Sequence, residues 1–195
     1  MSADLAFTLS DEGYDRIVAT HRVELCDNPR MEIAAWLVAW TLAAGMSQPP
    51  PACASTPHRA FDFWVGEWDV SGPDGKPAGT SRVERILDGC VIMEHWSTIG
   101  APYSGKSFNT FNPADGQWTQ HWVDSTGASI VLSGTFEGTT LVYRRDLVRR
   151  DGKPAKARMT FFNLPDGRVR QLVEQSIDGG ATWNTQVDYM YTRHR

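Results

Sequence analysis

Between residues 61 and 193 the sequence is cut at short intervals by turn chemistry, and that punctuation limits the fold more than any other feature. "PDGK" at 73–76, "LDG" at 87–89, "NPADG" at 112–116, "DSTG" at 124–127, "FEG" at 136–138, "RDGKP" at 150–154, "PDG" at 165–167 and "DGG" at 178–180 all fall in this region. Asp-Gly and Pro-Asp-Gly sequences supply the positive φ and the side-chain-to-backbone bonds that tight hairpins require. The intervals between them alternate apolar and polar residues at period two, with no long helical period. They predict strands over 61–71, 79–87, 90–98, 104–112, 116–124, 128–136, 139–148, 156–163, 168–177 and 182–193.

Short strands joined in sequence by hairpins make an up-and-down meander, and closing it on itself removes both exposed edges. The expectation is therefore an all-β chain with a single antiparallel barrel of about ten strands, with a two-sheet sandwich as the alternative. The chain has 195 residues, 41% of them hydrophobic and 22% charged, which suits one globular domain rather than two.

Residues 1–54 read differently. "IAAWLVAWTLAAG", residues 33–45, carries no charge and is followed by "MSQPPPACA", in which Ala52-Cys53-Ala54 has the small-x-small form of a signal peptidase site. The run is shorter than the roughly 20 residues that a membrane-spanning helix needs. Residues 1–54 thus read as a leader with a secretory signal, residues 55–195 as the barrel domain, and the compartment as secreted or periplasmic; an uncleaved anchor and a buried helix are the alternatives. A cut before Ser55 leaves Cys90 alone of Cys26, Cys53 and Cys90, so no disulfide is expected and Cys90 reads as a small buried hydrophobe. The net charge is −4, but the leader holds seven acids against three bases, leaving the remainder formally neutral. No basic stripe is present to attract nucleic acid, and after processing no stable membrane span is expected.

"SIDGGATW", residues 176–183, has the Ser-x-Asp-x-Gly-x-Thr-Trp form of the sialidase Asp-box. A propeller needs at least four four-stranded blades and a repeating sequence, whereas this chain has one copy of the box and too few strands. The octapeptide reads instead as a hairpin in which Ser176 and Asp178 accept from turn amides, Gly179 and Gly180 take positive φ, and Trp183 packs back over the turn.

"FDFWVGEWDV", residues 61–70, places Gly66-Glu67-Trp68 in the first strand, and this resembles the Gly-x-Trp signature of lipocalins and other calycins. Together with "LDGCVIMEHW", "GKSFNTFNPADGQWTQHWVD" and "GRVRQLVEQSIDGGATW", the string resembles a widespread bacterial family of secreted domains that open with Phe-x-Phe-hydrophobic-x-Gly-x-Trp, over roughly residues 60–193. The resemblance implies a calycin-like barrel whose Trp68 packs beneath Arg193 or Arg195; it carries no activity, ligand or catalytic residue with it. Nitrobindin-type haem barrels are more distant in architecture. Their ligand is a histidine near the C-terminus, but His194 lies between two arginines at the chain end and reads as a solvated tail. No cofactor is expected.

Strand parity selects the candidate site. Glu94 and Trp96 share one face of their strand, and Trp118, Gln120 and Trp122 share one face of theirs. Tryptophans interspersed with single polar groups suit a cavity whose apolar walls hold a small, mostly apolar ligand while a few polar atoms orient it. The competing expectations are a filled structural or interaction module, in which Glu94 pairs with Arg170, and an acid–base barrel enzyme of the isomerase, cyclase or dehydratase kind using Glu94 and His121. His95 and His121 have no third ligand at a recognisable spacing, so no metal is expected, and no Gly-x-Ser-x-Gly nucleophile signature is present. The structural residues expected are Gly66, Trp68, Asp178, Gly180 and Arg193.

Overall fold

A computed structural model of the chain describes residues 52–195. The apolar run 33–45 and the rest of the expected leader lie outside them. Ten antiparallel strands close into one barrel, each pairing with its sequence neighbours and the last pairing with the first. In order they are β1 (Gly66–Ser71), β2 (Pro77–Ile86), β3 (Val91–Thr98), β4 (Ser104–Asn112), β5 (Gln117–Asp124), β6 (Ser129–Glu137), β7 (Thr140–Val148), β8 (Pro154–Asn163), β9 (Val169–Ser176) and β10 (Asn184–Arg193). The up-and-down barrel expected from the turn spacing is the fold. Among the described residues no helix is long and apolar enough to cross a membrane.

The expected first strand is shorter than its alternation suggested. Thr56–Arg59 form a single helical turn, α1, and Asp62–Trp64 a 3-10 turn, so β1 starts only at Gly66. The aromatic residues ahead of β1 do not alternate across a sheet. Phe61 and Trp64 are both fully buried and fill one end of the barrel, where Phe61 stacks on Trp64 at 5.0 Å and meets Phe161 at 5.0 Å and Trp118 at 5.7 Å edge-on. A segment that plugs a barrel buries its large residues all round, and here that produced a false strand-like pattern.

Trp68 ties this plug to the wall. Its indole N–H donates to the Trp64 carbonyl at 2.8 Å, while the Arg193 guanidinium lies 4.0 Å over its ring. Arg193 also donates to the Val65 carbonyl at 2.7 Å. Trp68 and Arg193 are register partners across the β1–β10 seam, so the cation–π contact falls where the barrel closes. Gly66 explains the first letter of the motif: its φ is 144°, and a Cβ built there would overlap the Arg193 guanidinium. Of the two arginines expected over Trp68, Arg193 takes the place.

The absence of a disulfide is corrected. Cys53 is bonded to Cys90, which sits just after the 3-10 turn Leu87–Gly89 rather than inside a strand. Parity and burial called for a small apolar side chain at Cys90, and the expected cut before Ser55 hid its partner. The bond joins the residues leading into α1 to the β2–β3 connection.

The octapeptide forms the β9–β10 hairpin. Ser176 Oγ accepts from the Gly180 amide at 2.8 Å and donates to Asp178 Oδ1 at 2.7 Å, and Asp178 Oδ1 accepts from the Thr182 amide at 2.9 Å. The Thr182 hydroxyl, which also donates to Asp178, holds that carboxyl well below the usual carboxylate range. Trp183 donates to the Gly180 carbonyl at 3.1 Å and lies under the Arg158 guanidinium at 4.2 Å, so the box is a self-satisfied turn.

Because Trp68 carries both the clasp on Arg193 and the bond to the plug, Trp68→Ala should cost about 3–5 kcal/mol. Arg193→Met, which loses the cation–π contact and the bond to Val65, should cost about 1–2 kcal/mol. Urea denaturation of the two variants measures both, and a smaller loss for Trp68→Ala than for Arg193→Met would contradict the arrangement.

Candidate functional site

The inward-facing side chains stack in levels along the barrel. At the plugged end Phe61 packs against Trp118, Phe136 and Phe161, Trp64 packs against Phe161, and Phe111 packs on Trp118. At the other end a cavity of about 490 Å³ remains, lined by Trp96, Trp122, Leu132, Met159, Val173 and Tyr189, with Thr98, Tyr103, Ile130, Leu147 and Val187 nearer the loops. Between the two lies a layer of polar residues that forms the cavity floor.

That layer is built around Glu94, which is only 3% exposed. Its Oε1 accepts from Ser81 Oγ at 2.8 Å, and its Oε2 accepts from Ser107 Oγ at 3.2 Å. Tyr191 OH lies 3.4 Å from Oε1 and donates to Gln171 Oε1 at 2.8 Å. Ser107 is the β4 register partner of Glu94, whereas Ser81 lies on the diagonal across β2, so small hydroxyl residues flank the carboxylate on both sides. Asn109 donates to Ser107 Oγ at 3.1 Å and to the Ile92 carbonyl at 3.1 Å, and its Oδ1 accepts from Gln120 Nε2 at 3.1 Å and from Tyr143 OH at 3.0 Å. One connected network thus runs from β2 through β3, β4 and β5 to β7, with a second arm through Tyr191 and Gln171. Burial pushes the Glu94 carboxyl from an ordinary 4.5 up to about 7, partly opposed by the hydroxyls of Ser81, Ser107 and Tyr191.

Two glycines shape the walls. Gly79 on β2 and Gly105 on β4 lie directly beneath the indoles of Trp96 and Trp122, and a Cβ at either position would overlap the ring. Trp96 also stacks on Tyr189 at 5.3 Å and donates to Thr98 Oγ1 at 2.8 Å. These rings are held against the wall, which keeps the space between them open.

The structure brings Glu94, Trp96, Gln120 and Trp122 together around the cavity, as strand parity suggested. Trp118 shares their inward face but sits a level lower, in the packed aromatic end, so it does not line the cavity. His121 points the other way. It is exposed on the outer surface with its Nε2 at 2.9 Å from Ser129 Oγ, so the wall separates it from Glu94. The Glu94–Arg170 pair is corrected as well: Arg170 faces outward and holds Asp188 through two bonds of 2.8 Å. Sequence reasoning missed Gln171, Tyr189, Tyr191 and Arg145 in the cavity wall. Parity within β7, β9 and β10 carried that signal, but only the closure shows that these strands face Glu94.

His194 lies at the surface with its Nδ1 at 2.9 Å from Asp69 Oδ1, away from the interior. Among the described residues, no group of three or more His, Cys, Asp or Glu is placed to hold a metal ion. No protein-family model matches the chain, and no curated protein matches it.

The position of Glu94 makes stability depend on pH. Its folded pKa lies above the unfolded one, so the fold binds this proton more tightly than the open chain. The resulting stability is complete below about pH 4.5 and is lost as pH rises through about 7. Wild type should lose on the order of 3 kcal/mol across that window relative to Glu94→Gln. Chemical denaturation of both chains at several pH values measures the difference, and parallel curves would contradict the assignment.

Proposed function

We propose that this chain is an exported calycin-like barrel that binds a small, mostly apolar ligand in its interior. The observation that carries the reading is the cavity of about 490 Å³, whose walls are aromatic and aliphatic and whose floor is a hydrogen-bonded polar layer. This combination suits a ligand with an apolar body and a few hydrogen-bonding atoms. A filled module would have a larger side chain where Ala157 borders the cavity.

Export is supported by the Cys53–Cys90 bond, because disulfides persist in oxidising compartments. A mature chain that retains the bond begins at or before Cys53, upstream of the cut expected at Ser55.

One observation favours a second reading. A buried carboxyl with a pKa of about 7 at a cavity floor suits proton transfer near neutrality. With His121 on the outer surface, Glu94 would have to serve without the partner first expected for it.

Tryptophan emission reports on the site, since Trp96 and Trp122 both line it. A panel of small apolar ligands should quench it saturably in wild type, and Ala157→Phe, which places a ring in the cavity, should abolish the response while leaving the folded spectrum intact. Lack of quenching by every ligand would defeat the binding reading. For a ligand found this way, Glu94→Gln should weaken binding by about 1–3 kcal/mol if the carboxylate receives a ligand hydrogen bond. Unchanged binding with loss of turnover would instead select the acid–base reading.

A further inference from the structure

We propose that the interior site selects ligands carrying a carboxylate on an apolar body, and that Arg145 receives the carboxylate. The inference rests on the cavity reading above and adds the chemical class of the ligand.

Among the described residues, two charged side chains line the cavity, Glu94 and Arg145. Glu94 is occupied by the three hydroxyls around it, and no bond joins it to Arg145. Arg145 lies on the inward face of β7 between Tyr143, whose hydroxyl belongs to the polar floor, and Leu147 nearer the loops. It is half-buried, and its register partner on β8 is the small Ala157, which leaves room above it. Every other arginine within β7, β8 and β9 holds a carboxylate: Arg144 with Glu137, Arg158 with Glu174, and Arg170 with Asp188. Among the described residues Arg145 has no ion pair and donates no hydrogen bond to the protein.

A guanidinium drawn into a mostly apolar cavity is stabilised by a planar anion that takes two of its N–H groups in parallel. A carboxylate supplies one negative charge and the matching geometry. A phosphate monoester, with a charge of about −1.5 to −2, would bring more charge than a single arginine balances. Glu94 sharpens the choice, since its oxygens are already held by the hydroxyls of Ser81, Ser107 and Tyr191 and a carboxylate there offers a ligand carboxylate no donor. The anionic group is therefore directed to Arg145, and the apolar body lies against Trp122, Leu132, Val173 and Tyr189. The carbonyl oxygen of Gln120, whose Nε2 is committed to Asn109, remains for any hydroxyl on the ligand.

The test uses the full chain, isothermal titration calorimetry at neutral pH, and two matched pairs of probes: decanoate with 1-decanol, and 2-naphthoate with 2-naphthol. In wild type the acid of at least one pair should bind more tightly than its alcohol. Arg145→Met, which keeps the apolar stem and removes the charge, should weaken that acid by about ten-fold or more and leave the alcohol within about two-fold. Arg145→Lys should recover part of the loss, and this variant keeps the test valid if the methionine chain folds poorly. Acids and alcohols that bind equally, with no effect of either variant, would overturn the role of Arg145 while leaving the cavity reading intact. Failure of all four probes to bind wild type would overturn the cavity reading itself.

Discussion

The whole barrel depends on one seam. Nine of the ten strand pairings follow from hairpins, whose short turns bring the partners together, but the β1–β10 pairing must be made by residues far apart in the chain. The seam spans only four register pairs, from Trp68↔Arg193 to Ser71↔Met190. A short ladder between distant strands carries a loop-closure cost with few backbone bonds to offset it. Side chains make up the difference: Arg193 covers Trp68, bonds back to Val65, and fits only because Gly66 has no Cβ. Trp68 in turn holds the Trp64 carbonyl, so the same contact seats the aromatic plug that fills the barrel end.

With that end sealed, the polar layer separates two kinds of interior. Below it aromatic rings pack against one another, mostly edge to face; above it Trp96 and Trp122 lie against glycines and the cavity remains between the walls. A buried polar layer destabilises a fold unless each group in it is satisfied. Here Glu94, Ser81, Ser107, Asn109 and Tyr143 are all bonded within the layer, and the remaining hydrogen-bonding capacity lies with Gln120 and Gln171 at the cavity surface. The network therefore turns its unspent polarity toward the space where a ligand would sit.

Much of this was legible in the sequence because barrels are built from local signals. Asp-Gly turns fixed the hairpins, period-two alternation gave the inward faces, and the resemblance carried by Gly66-Glu67-Trp68 marked the closure, with Arg193 or Arg195 expected over the Trp68 ring. Depth along the barrel axis was not legible. Trp118 and Trp122 have the same parity four residues apart, yet one lies in the packed aromatic end and the other in the cavity wall, because only the plug decides which end is filled. The plug was itself hidden, since Phe61 and Phe63 imitate a strand. His121 was excluded from the interior by the same alternation that admitted Gln120 and Trp122. Cys53 was lost for a different reason: a plausible cleavage site outranked a partner 37 residues away that only the folded chain brings near Cys90.

A carboxylate at position 94 does something that an amide of the same shape would not. As an ionised group it only accepts, so Ser81 and Ser107 must both turn their hydroxyl hydrogens toward it. Once the Ser107 hydrogen is committed, its oxygen is left to accept from Asn109 Nδ2. That fixes the Asn109 amide, whose Oδ1 then accepts from Gln120 and Tyr143. The Gln120 amide is oriented in turn, with its Nε2 toward the protein and its carbonyl oxygen left for the cavity. One acid at the centre of the layer thus sets the donor and acceptor sense of every group in this arm of the network. Protonating Glu94, as its raised pKa allows near neutrality, would release that direction and with it the pattern presented to a ligand.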